Sequence, residues 1–135
     1  MQAKIIEWVT KKMSNKSFGK FVEEKRKSQG ITLRGLASML DIAPAYMSDI
    51  EKGRRYPPEK HLEEIAKILK LSDAERNIML DLAALEKENS VPSDLPEYIM
   101  EKNIVRVALR KARDNNVSDE QWEEVLKIFD KKDGE

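Results

Sequence analysis

The chain has 135 residues, with 25 Lys and Arg against 25 Asp and Glu, one His, two Trp and no Cys. That length holds one compact domain, or one small domain with an extension; at 40% hydrophobic and 37% charged it buries a thin core under a charged surface, and the mixing of charged with apolar residues argues against a disordered tail. The missing cysteines exclude a disulfide framework, a thiolate metal site and a thiol nucleophile. No apolar run approaches the ~18 residues of a membrane helix, and the opening MQAKIIEWVTKKM has no signal-peptide core, so a soluble cytoplasmic protein that meets no membrane is expected. The net charge of zero hides an asymmetry. Met1 to Leu71 carry 15 Lys and Arg against 9 Asp and Glu, a net of +6, and Ser72 to Glu135 carry 10 against 16, a net of −6. Such a split suits a basic half that meets a polyanion and an acidic half with another task.

Helical periodicity runs the length of the chain and no stretch reads as a strand, so the fold class is all-α. Ile5, Ile6, Trp8, Val9 and Met13 give a first short helix. Ser17 caps a second, with Phe18, Phe21 and Val22 on one side and Gly30 as its stop. Thr32 caps a third, with Leu33, Leu36, Ala37 and Leu40 on one face. A fourth opens near Pro44, where a missing N–H costs nothing, and ends at Gly53; Pro57-Pro58 opens a fifth that runs to about Leu69. Ser72 and Glu75 form a capping box that starts a sixth helix at Asp73. The stretch ENSVPSDLP is the clearest connector. A short turn over Glu97 to Met100, a helix over Ile104 to Ala112, and a second capping box at Ser118 and Gln121 follow. That box opens a last helix carrying Trp122, Val125, Leu126 and Phe129 at i, i+3, i+4 and i+7.

The informative stretch is ITLRGLASMLDIAPAYMSDIEKG, residues 31–53. Two short helices joined by about three residues cross closely and steeply, as in a helix-turn-helix. The crossing needs a small residue, which Ala37 supplies, and the turn needs a residue tolerant of left-handed backbone, which Asp41 can be. Ile42, Met47 and Ile50 are placed to anchor the second helix, leaving Pro44, Ala45, Tyr46, Ser48, Asp49 and Lys52 on its outer face.

From Phe18 to Leu71, about two-fifths of the chain, the sequence resembles the Cro/C1-type (XRE) helix-turn-helix regulators. The resemblance rests on Phe18-Gly19, Arg26, Gly30-Ile31-Thr32, Leu36-Ala37, Ile42 to Ser48, Ile50 to Gly53 and Pro57-Pro58, in this order and spacing. It implies that the helix from Pro44 enters the DNA major groove with its N-terminal residues toward base edges. Pro44, Ala45, Ser48 and Asp49 then face bases. Pro44 and Ala45 read only by apolar contact, for instance with a thymine methyl, and no bidentate Arg–guanine or Gln–adenine reader is present. Thr32 is a further DNA-binding position, and Tyr46, Arg34, Lys52, Arg54 and Arg55 fall at backbone-contacting positions, which set register and most of the affinity. The resemblance also places Arg26 against Glu51 as a structural ion pair. Three departures stand out: Asp41 where a turn glycine is usual, Lys25 where an apolar residue is common, so that its stem covers the core edge with its head in water, and Glu23 where Arg is common. Asp49 brings a negative charge toward DNA unless it accepts from a cytosine amine or from Arg54.

Blander readings accompany these. Lys52, Arg54 and Arg55 could form a plain solvated loop, and Tyr46 a packing residue at the domain edge. His61 reads as an ordinary side chain, and no metal or cofactor is expected. Nothing reads as an enzyme: no His–carboxylate pair has a plausible serine, no Gly-rich phosphate loop occurs, and Glu63-Glu64 and Glu123-Glu124 alternate with apolar positions as solvent-facing charge does. The expected organisation is an N-terminal helix over 1–16, a DNA-binding domain over 17–71, and a dimerisation or partner-binding region over 72–135. In the last, Val105, Leu109, Trp122, Val125, Leu126 and Phe129 form the interface, within the chain or across a dimer. The function expected is a sequence-specific DNA-binding regulator, a repressor on a palindromic operator. The alternative is a module of the same fold, such as an antitoxin or phage regulatory factor, that holds a partner protein.

Overall fold

The computed structural model describes residues 16–133; the helix expected over Ile5, Ile6, Trp8, Val9 and Met13 lies outside the described residues. Among the described residues there are eight α-helices, one 3-10 turn and no strand. The helices are α1 (Phe18–Ser28), α2 (Leu33–Met39), α3 (Pro44–Glu51), α4 (Leu62–Ile68), α5 (Asp73–Leu85), α6 (Pro96–Glu101), α7 (Asn103–Asp114) and α8 (Asp119–Asp133), with the 3-10 turn over Glu59–His61 ahead of α4. The described chain divides into two compact units, the first ending at Asp94 and the second beginning at Leu95.

The first unit is α1 to α5. Ser17 caps α1, its hydroxyl accepting from the Lys20 N–H at 3.1 Å, and Thr32 caps α2 by accepting from the Gly35 N–H at 2.9 Å. Phe18, Val22, Leu36, Ala37, Leu40, Met47 and Ile50 close the core of the first three helices, and Leu62, Ile65, Leu69, Met79 and Leu80 continue it through α4 and α5. Burial of the apolar faces, rather than helix propensity, holds helices this short. The crossing of α1 and α3 depends on Gly19. A Cβ there would stand 2.6 Å from the Glu51 carbonyl carbon and 2.7 Å from the Ile50 oxygen, and closer still to the Glu51 oxygen. Only hydrogen at that position lets the two backbones meet.

The turn between α2 and α3 has Asp41 at φ 57°, the left-handed conformation the steep crossing demands. Ile42 N–H donates to the Ala37 oxygen at 3.0 Å and closes the end of α2. Pro57-Pro58 is followed by the 3-10 turn before the α-helix proper begins at Leu62, a tighter entry than a single helix from the prolines.

The unit runs on past residue 71 and includes α5. The capping box at its start forms in both directions, at 3.0 and 3.1 Å, and Ile78, Met79, Leu80 and Leu82 are buried. Three contacts from distant parts of the sequence bind it and its approach to α1: Lys25 Nζ donates to Glu75, Gln29 Nε2 donates to the Leu69 carbonyl, and the Phe18 N–H donates to Glu86 Oε1 at 3.2 Å. Glu75 therefore serves the capping box with one oxygen and Lys25 with the other. The Lys25 hydrogen bond, and then the Ser72 N–H, hold its carboxyl below the ordinary range.

The second unit is α6 to α8. Arg106 Nη1 donates to the carbonyls of Ile99 and Met100 at 2.9 and 2.7 Å, satisfying the end of α6 where the chain breaks into α7. Ser118 and Gln121 form the second capping box, at 2.9 and 3.2 Å. No described residue of this unit is buried.

Candidate nucleic-acid interface

The outward surface of α2, α3 and the loop after it gathers the positions expected to face DNA. Pro44, Ala45 and Tyr46, the first turn of α3, are exposed, and Ser48 and Asp49 are half-buried. Pro44 takes the first helical position and the turn carries no side-chain cap. Met47 and Ile50 point the other way, into the core, which fixes the helix about its own axis.

The basic residues fall into two kinds. Arg34 and Lys52 are exposed, and their side chains make no hydrogen bond or ion pair among the described residues. Arg54 and Arg55 are tied back to α3: Arg54 Nη1 lies 3.6 Å from Asp49 Oδ1, and the Arg55 guanidinium carbon lies 5.3 Å from the centre of the Tyr46 ring. Gly53, at φ 78°, turns the chain so that this return is possible. The Asp49 charge is thus met by an arginine of its own surface. Thr32 stands at the same face with its hydroxyl engaged as the α2 cap.

Beside α3 a shallow concavity is lined by Tyr46, Asp49, Arg54, Arg55, Tyr56 and Glu86. Tyr56 and Glu86 were not among the residues that sequence reasoning selected. An aromatic residue next to a basic pair is a signal that could have drawn attention to Tyr56; nothing local marks Glu86.

Behind the interface Arg26 holds α1 to the end of α3. Its Nε and Nη2 donate to the two carboxylate oxygens of Glu51 at 2.7 and 2.8 Å, and Nη1 donates to the Ile31 carbonyl at 3.3 Å. The side chains are 9% and 4% exposed. The Glu51 hydrogen bond outweighs the effect of burial and raises the Arg26 pKa further above its ordinary value. A bidentate fork of this kind sets angle as well as distance, so the pair fixes how α3 is presented.

With this geometry in hand, the comparisons with known proteins are specific. Residues 22–75 match the family model described as helix-turn-helix. This segment belongs to the Cro/C1-type helix-turn-helix family. That family is one of DNA-binding regulators. The helix-turn-helix chain is also similar to the ImmF control region 10 kDa protein of Bacillus phage phi105, 34% identical over 59 residues, which cover 44% of this chain and 66% of that protein. The chain thus spans just under two thirds of that relative's length. No solved structure matches it. Among the described residues, no helix is long and apolar enough to cross a membrane.

Proposed function

We propose that this chain is a sequence-specific DNA-binding transcriptional regulator, a repressor that occupies a palindromic operator as a dimer. One observation carries the reading: the first turn of α3 is exposed, Arg54 and Arg55 return onto Asp49 and Tyr46 of the same helix, and Met47 and Ile50 lock its opposite side into the core. A helix held that way meets base edges with its N-terminal turn, and the surrounding cations meet phosphates. The relative's description as a control-region protein of a phage agrees with a regulatory role.

Exposed apolar side chains of the second unit support the dimer. Ile104, Leu109, Trp122, Ile128 and Phe129 are exposed, Ile104 to 71% and Phe129 to 61%, and the half-buried Val105, Val125 and Leu126 belong to the same helices. α7 carries Arg106, Arg110, Lys111 and Arg113, whereas the first half of α8 carries Asp119, Glu120, Glu123 and Glu124. A two-fold pairing can set the basic helix of one copy against the acidic helix of the other while covering both apolar faces, as an isologous interface requires. Two copies then read half-sites one turn of DNA apart. A second reading, a module that holds a different protein, draws on the same open apolar surface.

Selection from a random DNA pool, followed by gel retardation, tests the function. A palindrome should be enriched, and log K should fall with log salt by about 0.9 per phosphate neutralised. Arg55→Ala should weaken all sequences alike and flatten that slope, and Ser48→Ala should change the preferred sequence. Absence of retardation at low salt for every DNA overturns the DNA reading. Sedimentation equilibrium of the full chain tests the dimer: Phe129→Asp should give a monomer, and a wild-type monomer at tens of micromolar overturns the dimer while leaving DNA binding to be judged by itself.

A further inference from the structure

We propose that this chain reads its half-site through thymine 5-methyl groups packed against Pro44 and Ala45, an inference that rests on the DNA-binding reading above. Asp49 faces Arg54 at 3.6 Å, the Thr32 hydroxyl accepts from the Gly35 N–H, the Arg55 guanidinium lies over the Tyr46 ring at 5.3 Å, and Lys52 follows only at the far end of the helix. Ser48 lies a turn beyond Pro44 and is half-buried. Pro44 and Ala45, the first two residues of the leading turn, present a pyrrolidine ring and one methyl group, both exposed.

These groups have no donor or acceptor. Pressed against the amine or ring nitrogen of a base edge, they would exclude water and leave that group unpaired, which is unfavourable. The major groove offers one apolar group with which they gain by contact, the thymine C5-methyl. Their shortness matters too, because a ring and a methyl let the helix backbone approach closely enough for that contact. The rigid placement of α3, fixed by Gly19 and by Arg26 with Glu51, makes the contact fall on a defined base step instead of a range of them.

The experiment uses the full chain and the tightest duplex recovered from random-pool selection. Each thymine is replaced in turn by deoxyuridine, which removes the methyl and leaves the hydrogen-bonding edge unchanged. At one or two positions per half-site Kd should rise about four-fold, the equivalent of ~0.8 kcal/mol for one buried methyl, and about sixteen-fold when both half-sites are substituted. A duplex in which that thymine–adenine pair becomes cytosine–guanine should regain affinity when the cytosine is 5-methylated. Ala45→Gly should bind the thymine and deoxyuridine duplexes alike, whereas Ser48→Ala should keep the difference. Should Ala45→Gly fail to fold, the wild-type deoxyuridine scan and Pro44→Ala still decide. A wild-type Kd that changes by less than about two-fold at every thymine overturns methyl reading while leaving DNA binding intact. A pool that yields no enriched sequence overturns the underlying reading, and this proposal with it.

Discussion

Residues 16–94 and residues 95–133 are made from the same materials, short amphipathic helices with capping residues, yet they differ in what their apolar faces touch. In the first unit Phe18, Leu36, Met47, Ile65 and Met79 are all but inaccessible, and the buried Arg26 guanidinium donates to both the Glu51 carboxylate and the Ile31 carbonyl. In the second, Trp122 and Phe129 have the same helical spacing as any core pair and remain exposed. Periodicity therefore tells which face of a helix is apolar and not what covers it. The closed first unit holds α3 in a fixed orientation, while the open second unit leaves large apolar side chains exposed.

The largest expected effect breaks the closed unit at its buried charge. Glu51→Gln strands the Arg26 guanidinium in a nearly dry site and should cost roughly 3–5 kcal/mol, read as faster hydrogen exchange of α1 and α3 amides. A loss comparable to that of an exposed pair, at most about 1 kcal/mol, would contradict the role given to this pair. Next comes a direct comparison of the two regions. Met79→Ala should destabilise the first unit by about 2–5 kcal/mol, whereas Phe129→Ala should leave the same amides within about 0.5 kcal/mol. Equal losses would mean that the division between closed and open units is misjudged.

The smallest effect is a pH dependence within the closed unit. Burial, and then the neighbouring Asp94 carboxylate, raise the Asp81 carboxyl above its ordinary value. The folded state thus holds that proton more tightly than the unfolded chain. Its contribution is fully present below the unfolded value of about 3.9 and is lost as pH rises through the raised folded value. Asp81→Asn should accordingly be more stable than wild type at neutral pH, with the advantage fading in acid. Glu75 runs the opposite way. Its lowered pKa contributes stability above the ordinary glutamate range, lost as pH falls through the lowered value, so Glu75→Gln should cost most at neutral pH. Urea titrations of both variants across this range check the two signs, and a neutral-pH midpoint of Asp81→Asn at or below wild type would refute the first.

Neighbours within about four residues fix the local features of this chain. The caps at Ser17, Thr32, Ser72 and Ser118, the left-handed turn at Asp41, the small residue at Ala37 and the apolar faces of the described helices are all local matters, legible because a helix repeats every 3.6 residues and its ends need partners close by. The pattern from Phe18 to Leu71 also carried the family. The remaining features depend on contacts between residues far apart in the chain. Lys25 with Glu75, Gln29 with Leu69 and Phe18 with Glu86 lie 50, 40 and 68 residues apart, and these contacts bring α5 into the helix-turn-helix unit instead of leaving it with the C-terminal helices. Arg54 and Arg55 were legible as cations, but their return onto Asp49 and Tyr46 depends on how the chain turns at Gly53. The open face of α7 and α8 was legible as apolar and not as uncovered, because a hydrophobic stripe is written in the order of residues, whereas the surface it meets is set by the path of the whole chain.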